Sequence, residues 1–333
     1  MSIRVAVNGF GRIGRLVFKA MQDETNIEVL AINDLTDVKT LAYLLKFDTV
    51  HGAYPDPVRT DGQALIAGKR KVKVCAESDP SRLPWQELGV NFVIEATGRF
   101  RSREELELHL QAGARKVILT APAQGDIDNT VVMGVNDDTL NDDHLLVSNA
   151  SCTTNCLAPV AKVLNDTFGI RRGWMTTIHA YTSDQRLLDF GHSDLRRARA
   201  AAGNIIPTTT GAAKAVGLVI PSLAGKLDGI AMRVPVPDVS LVDLVAELDE
   251  DTTADEINHA VQRASESSLR GILEYCEDEI VSSDVLNNPA SSVFDALSTQ
   301  VMDGNFAKVI SWYDNEWGYA KRTVDLLQKI AGR

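Results

Sequence analysis

The sequence has few cysteines, no long hydrophobic run and no excess of positive charge. Its four cysteines are too few and too scattered over 333 residues for a disulfide framework. We therefore expect a reducing compartment and, by default, the cytoplasm. A membrane-spanning helix is not expected, because the apolar runs are much shorter than the roughly 18 residues needed. The strand-like start Ile3–Val7 also lacks the charged and apolar parts of a secretory leader.

The charge balance narrows the classes of partner. The formal net charge of −11 argues against a surface dedicated to nucleic acid or to an anionic membrane. It does not exclude a small anionic substrate, because local groups bind such molecules. Hydrophobic residues are 44% and charged residues 24%, as in ordinary globular proteins. At roughly 150 residues per domain, the length predicts two domains, with a boundary near residues 148–152.

The two halves of the chain carry different patterns. In the first half, short β-branched runs alternate with helical stretches, which favours a parallel sheet covered by helices. In the second half, consecutive strands with few helices between them predict a mixed or antiparallel sheet. The segment 182–209 is long, is rich in Arg and has little strand or helix pattern, and a loop of that length is usually functional.

A dinucleotide-binding signal lies at the start of the chain. Gly9, Gly11 and Gly14 form G-x-G-x-x-G between a predicted strand and a predicted helix. Asp34 ends the second strand, where a carboxylate accepts hydrogen bonds from a ribose diol and repels a 2′-phosphate. NAD is therefore favoured over NADP. The competing interpretation is an ordinary strand-to-helix turn with an exposed aspartate.

Cys152 is the candidate nucleophile. It stands where a polar turn opens a helix, and the positive end of the helix dipole favours a thiolate. A small buried thiol is the alternative, because that is the usual fate of a cysteine. Among the six histidines, His179 ends an apolar strand and enters the long polar loop, where an open sheet presents catalytic groups. A structural histidine remains the alternative there.

Two segments have the composition of anion sites. The hydroxyl cluster 208–210 runs into Gly211 and a predicted helix start, which suits an anion. Arg196, Arg197 and Arg199 add cations in the long loop, and Arg233 lies near the end of an apolar strand. A threonine-rich helix cap and a solvated basic face are the alternatives.

The whole chain resembles the phosphorylating glyceraldehyde-3-phosphate dehydrogenases of the bacterial and eukaryotic type. The resemblance rests on these segments, in order: NGFGRIGR (8–15), KFDTVHG (46–52), SNASCTTNC (148–156), HAYTSDQ (179–185), LRRARAAA (195–202), IIPTTTGAAKAVG (205–217), MRVPVPDVS (232–240) and SWYDNEWGY (311–319). It implies an α/β fold with a Rossmann dinucleotide-binding domain and an α+β catalytic domain. The predicted NAD-binding domain is 1–150, completed by a C-terminal helix at 316–333, and the catalytic domain is 151–315.

The resemblance also implies roles for individual residues. Cys152 matches the nucleophile and His179 its base. NAD contacts fall on Gly9, Gly11, Arg12, Ile13, Gly14, Asp34, Ser78, Thr120 and Asn315. Thr182 and Arg233 match the site for the C3 phosphate of glyceraldehyde 3-phosphate. The inorganic-phosphate side falls on Ser151, Thr153, Arg197, Thr210 and Gly211.

The implied reaction oxidises the aldehyde to 1,3-bisphosphoglycerate through a hemithioacetal and a thioester, without a metal. A homotetramer is implied, in which the loop near 182–206 reaches a neighbouring cofactor site. The alternatives are an erythrose-4-phosphate dehydrogenase and a non-catalytic NAD-binding interaction protein.

Phe190-Gly191 stands where NAD-specific members usually have Leu-Pro, so we expect NAD preference with some NADP use. Asp238 replaces the usual Asn, and Ser78 replaces a basic residue of some bacterial members.

Overall fold

A computed structural model describes residues 2–22 and 24–332. The α-helices of this part are α1 (Arg12–Ala20), α2 (Val38–Lys46), α3 (Trp85–Leu88), α4 (Arg103–Gln111), α5 (Cys152–Phe168), α6 (Ala212–Val219), α7 (Ala254–Glu266) and α8 (Trp317–Ala331). No helix among these residues is long and apolar enough to span a membrane.

The strands fall into two sheets. They are β1 (Ile3–Asn8), β2 (Ile27–Asn33), β3 (Val58–Asp61), β4 (Ala64–Ala67), β5 (Arg70–Cys75), β6 (Phe92–Glu95), β7 (Lys116–Leu119), β8 (Asn129–Thr130), β9 (Leu146–Ser148), β10 (Ile170–Ala180), β11 (Ile206–Thr209), β12 (Leu227–Val234), β13 (Ser240–Leu248), β14 (Leu273–Cys276), β15 (Ser292–Met302) and β16 (Phe306–Tyr313).

The first sheet is mostly parallel, as the alternating pattern predicts. Its strand order is β3-β4-β5-β2-β1-β6-β7-β9-β8, and only the β3-β4-β5 meander pairs antiparallel. From β1 the chain passes to β2 on one side and later to β6 on the other. A sheet that reverses its order in this way forms a ligand crevice at the carboxyl ends of the central strands.

The second sheet is mixed. Its order is β11-β12-β10-β13-β16-β15-β14, with parallel pairs at β10·β12 and β14·β15 and antiparallel pairs elsewhere. Helices α5 and α7 lie against it. Along β13 buried and half-buried side chains alternate strictly, because one face of the strand is covered and the other is not. The predicted α/β fold class, with a mixed second sheet, is confirmed.

The residues group into two compact units. One contains residues up to 131, then 138–150, then the chain from 320 on, and the other contains 132–137 and 151–319. Each unit has its own sheet. The domain bounds expected from the sequence stay a prediction, and the short segments 132–137 and 316–319 lie with the second unit.

Candidate active site

The glycine turn of the first unit has the geometry that a bound pyrophosphate needs. Gly9 has φ +90°, and a Cβ there would lie 2.6 Å from the Thr97 amide nitrogen. A Cβ on Gly14 would come within 2.0 Å of the Gly9 carbonyl oxygen, so helix and turn touch. A Cβ on Gly11 would meet no atom, and α1 begins there without a side-chain cap. The first amides of α1 thus suit a phosphate.

Asp34 lies directly after β2, beside this turn. One carboxylate oxygen accepts the Phe10 amide at 2.8 Å, and the other accepts the Thr36 amide at 2.9 Å. Arg12 opens α1, and its Nη1 pairs with Asp48 at 2.7 Å. Ile13 follows in the same helical turn and is half-buried. The carboxylate and the glycine turn are therefore tied together before any ribose is bound.

The other predicted cofactor residues are placed less uniformly. Thr120 follows β7 and donates its amide and its hydroxyl to the Glu95 carbonyl, each at 3.0 Å. Ser78 is exposed beyond the end of β5. Asn315 lies in the second unit, where its Oδ1 accepts the Ser240 hydroxyl at 2.6 Å. The first unit thus gathers the strand-end residues at one edge, and Asn315 belongs to a separate hydrogen-bond group.

Cys152 and His179, far apart in sequence, meet in the second unit. Ser151 caps α5 by accepting the Thr154 amide at 3.0 Å, which places Cys152 in the first turn. His179 is the penultimate residue of β10. The Cys152 Sγ lies 3.5 Å from His179 Nε2, within reach for proton transfer from a thiol.

The surroundings of His179 keep its ring neutral. Burial and the Arg233 guanidinium lower the pKa of His179 to about 3. Arg233 is its register partner on β12, and Arg233 Nη1 lies 2.7 Å from His179 Nδ1. The Ala180 carbonyl is 2.7 Å from the same nitrogen. In the tautomer that carries the proton on Nδ1, this proton is donated to the carbonyl and the Nε2 lone pair faces the thiol; Arg233 Nη1 then donates to the same carbonyl, at 2.9 Å, and not to the ring.

The Cys152 thiol is subject to opposing effects. Burial raises its pKa, and Arg233 together with hydrogen bonds from Thr153 opposes that rise. Burial is the largest of these effects, so the pKa of Cys152 stays above its usual value and the resting side chain is a thiol beside a base. Cys156, one helical turn further on, is fully buried, and burial raises its pKa to about 12. Cys156 is therefore an inert structural thiol.

Tyr313 is a site residue that the sequence reasoning missed. Its hydroxyl lies 2.9 Å from Thr153 Oγ1 and 3.0 Å from Thr177 Oγ1, and its ring meets the His179 ring edge to face at 6.0 Å. This fully buried side chain braces the start of α5 against β10. Its position as the last residue of the alternating strand β16 was the available signal.

The predicted anion residues fall into two groups. Arg233 borders His179 directly, and Thr182 follows β10, with its amide donating to Gln185 at 3.3 Å. Arg197 is held by Asp184 at 2.5 Å and by the Thr208 hydroxyl at 2.9 Å. Its positive charge also contributes to the lowered pKa of His179. Both guanidinium groups therefore act electrostatically on the same imidazole.

Of the remaining anion candidates, Ser151 and Thr153 lie at the start of α5, and Thr210 and Gly211 lie at the start of α6. The Thr210 hydroxyl accepts the Ala212 amide at 3.2 Å, and Gly211 occupies the N-cap position without a side-chain cap bond. A Cβ on Gly211 would meet no atom, so this backbone faces open space. Such a helix start, next to a hydroxyl, suits an anion.

A dinucleotide-binding unit and a thiol–imidazole site on one chain are typical of NAD-dependent dehydrogenases that oxidise aldehydes. Comparison with known proteins identifies the family. Residues 3–103 match the family model described as glyceraldehyde 3-phosphate dehydrogenase, NAD binding domain. Residues 151–315 match the one described as glyceraldehyde 3-phosphate dehydrogenase, C-terminal domain.

Full-length relatives agree with this match. The chain is 58% identical to glyceraldehyde-3-phosphate dehydrogenase of Priestia megaterium, with 100% of this chain and 99% of the relative covered. It is 57% identical to that of Geobacillus stearothermophilus, at the same coverage. Glyceraldehyde-3-phosphate dehydrogenase 1 of Bacillus subtilis is 57% identical, with 99% of each chain covered. The chain belongs to the glyceraldehyde-3-phosphate dehydrogenase family, and its cofactor is NAD.

Proposed function

We propose that this chain oxidises D-glyceraldehyde 3-phosphate to 1,3-bisphosphoglycerate, with NAD and inorganic phosphate as co-substrates. The observation that carries the proposal is the 3.5 Å approach of Cys152 Sγ to His179 Nε2, with Arg233 beside the imidazole. A nucleophile, a base and a cation for a phosphorylated aldehyde then lie within one site.

Cys152 and His179 carry the proton and acyl steps. As Sγ bonds to the aldehyde carbon, the thiol proton passes to Nε2, and its return to the carbonyl oxygen gives a hemithioacetal. His179 next takes the hydroxyl proton while the carbon is oxidised to a thioester. Bound NAD supplies the hydride acceptor for this oxidation. A phosphate oxygen then attacks the thioester carbon, the C–S bond breaks, and the sulfur recovers its proton.

The neutral state of His179 supports this assignment. His179 is neutral at physiological pH because its pKa is about 3, so its lone pair is available as a base. Cys152 is half-buried and its pKa is raised, so its thiol needs the adjacent base to react. Tyr313 and Thr153 hold the start of α5, which fixes the position of the sulfur.

Arg233 and Thr182 are proposed to bind the C3 phosphate of the aldehyde. Ser151, Thr153, Arg197, Thr210 and Gly211 are proposed to bind inorganic phosphate. Arginine binds phosphate through parallel hydrogen bonds, and Arg197 is already oriented by Asp184. The open backbone at Gly211 supports an anion at the start of α6. Gly9, Gly11, Arg12, Ile13, Gly14, Asp34, Ser78, Thr120 and Asn315 are proposed to hold NAD.

A homotetramer in the cytoplasm completes the proposal. Large apolar side chains in the loop after β10 are strongly exposed, as expected for a surface that another subunit covers. They are Leu187, Leu188, Phe190, Leu195 and Ile205. All four cysteines are free thiols, which supports a reducing compartment. Light scattering after size-exclusion chromatography measures the mass, and a monomer of 36.2 kDa would refute the tetramer.

Cys152→Ser is the direct test of the reaction. We expect it to abolish oxidation of glyceraldehyde 3-phosphate while NAD binding, measured by calorimetry, remains. Substantial activity in this variant would rule out the thiol mechanism. Wild-type turnover with glyceraldehyde 3-phosphate and with erythrose 4-phosphate, each with and without phosphate, tests the substrate. Phosphate-independent oxidation that favours erythrose 4-phosphate would overturn the assignment.

A further inference from the structure

Three neighbouring strands of the first sheet end on polar side chains. Asn33 ends β2, Asn8 ends β1 and Glu95 ends β6, and all three are at least 95% buried. The register places Asn8 beside Asn33 on one side and beside Glu95 on the other. This is the point where the strand order reverses and where parallel sheets bind ligands. Buried polar groups here need partners, because unpaired ones are costly.

Hydrogen bonds join the three strand ends into one line. Asn33 Nδ2 donates to Asn8 Oδ1 at 2.7 Å, and Asn8 Nδ2 donates to Glu95 Oε2 at 2.5 Å. The other carboxylate oxygen, Oε1, accepts the Thr97 amide at 2.8 Å and also the Thr97 hydroxyl. Glu95 therefore holds the turn that follows its own strand and the residue that precedes Gly9.

His109 on α4 adds a fourth donor, and Trp85 fixes its tautomer. The Trp85 indole Nε1 lies 3.1 Å from His109 Nδ1, and an indole N–H can only donate. Nδ1 is therefore the acceptor, and the ring proton is on Nε2. That nitrogen lies 3.0 Å from Glu95 Oε2 and donates to it. Every group around Glu95 is a donor, so the site requires an acceptor-only carboxylate.

The two turns held by Glu95 are in van der Waals contact. A Cβ on Gly9 would lie 2.7 Å from the Ala96 carbonyl carbon and 2.6 Å from the Thr97 amide nitrogen. A small shift of the Thr97 turn would therefore move the glycine turn as well. Since a pyrophosphate contacts the backbone of such a turn closely, small displacements weaken its binding.

We propose that Glu95 is a positioning residue for NAD: its buried carboxylate clamps the Asn8-Gly9 and Ala96-Thr97 turns together without itself touching the cofactor. The proposal rests on NAD binding by this unit and not on the thiol chemistry of the other unit. Failure of either can therefore be seen separately, because NAD affinity is measured without aldehyde or turnover.

Glu95→Gln tests the clamp with almost no change in size. If the oxygen of the introduced amide keeps the bonds from Thr97, the NH2 group of that amide faces the Asn8 NH2 and the His109 N–H. Both of these are donors, so the new NH2 group has no acceptor. Reversing Asn8 would break its bond from Asn33, and switching the His109 tautomer would break its bond from Trp85. Because a buried donor without an acceptor is costly, we expect the NAD dissociation constant to rise roughly tenfold or more. At saturating NAD, kcat is expected to stay within roughly threefold of wild type.

Thr97→Val and Trp85→Phe separate positioning from general stability. Thr97 is exposed, so its variant should fold. It loses the hydroxyl bond to Glu95 and the bond that the same oxygen accepts from the Arg99 amide at 3.1 Å, and we expect NAD to bind roughly fivefold more weakly. Trp85→Phe removes the donor at the far end of the network and should lower the unfolding temperature while NAD affinity stays within roughly twofold.

Calorimetric titration with NAD decides the matter, with circular dichroism as the check on folding. In Glu95→Gln the KM for NAD should rise together with the dissociation constant, while kcat stays nearly unchanged. A loss of stability alone would not raise KM and leave kcat unchanged. Wild-type affinity in folded Glu95→Gln would overturn the proposal. So would equal weakening by Trp85→Phe. If Glu95→Gln does not fold, Thr97→Val alone decides, and unchanged affinity there would refute the clamp.

Discussion

Replacing Asp238 by Asn is expected to stabilise the protein at neutral and alkaline pH. Asp238 lies between β12 and β13 and is only 4% exposed. Burial, with the negative charges of Asp314 and Glu316, raises its pKa to about 8. The folded protein therefore keeps this carboxyl protonated at pH 7, whereas the unfolded chain releases the proton with a pKa near 3.8.

The sign and size follow from this difference in proton binding. A raised acid pKa costs nothing below about pH 4, where both states are protonated. The cost grows through the window up to pH 8, where the folded carboxyl also ionises, and is constant above it. At ~1.4 kcal/mol for each pKa unit, the cost at pH 7 approaches ~4 kcal/mol. Asn binds no proton, so Asp238→Asn removes this pH-dependent loss of stability. The net gain in free energy of unfolding is smaller by the cost of burying an amide.

Urea unfolding of wild type and Asp238→Asn at pH 4.5, 7 and 9 measures the effect. The gain in free energy of unfolding should be small at the lowest pH and largest at the highest. Asp278→Asn is the matched control, since Asp278 is exposed and its replacement should change little at any pH. A gain independent of pH, or a less stable Asp238→Asn at pH 8, would refute the reasoning.

The other predictions concern the two sites. His179→Asn should lower kcat by roughly 10²–10⁴-fold in stopped-flow assays. In the wild type, kcat/KM should show no inflection from His179 between pH 5 and 8, because the pKa of His179 is about 3. An inflection near pH 6.5 that vanishes in the variant would contradict this. Arg233→Gln should raise the pKa of His179, since the cation 2.7 Å away is gone, and should raise KM for the aldehyde; unchanged KM would remove Arg233 from the phosphate site. Asp34→Ala should raise kcat/KM for NADP relative to NAD, and equal wild-type efficiencies with the two cofactors would overturn the NAD preference.

Local sequence patterns were sufficient to predict much of the fold of the first unit. The spacing of Gly9, Gly11 and Gly14 between a strand and a helix reflects close backbone contacts that only glycine permits, and those contacts are present. The strand ends could also be predicted, because β-branched runs stop at polar residues such as Asp34. The short meander β3-β4-β5 and the long strand β15 were not predicted. Their pairing depends on distant partners that local periodicity does not reveal.

What the sequence determined by itself is the set of chemical groups: a glycine turn, a cysteine at a helix start, a histidine at a strand end, and their order along the chain. Only the tertiary structure decided how these groups act. Pairing of β10 with β12 brings Arg233 to His179, and burial raises the pKa of Cys152 although Arg233 and Thr153 oppose that rise. Coulomb interactions and desolvation depend on distance and on exclusion of water, which folding sets and composition does not.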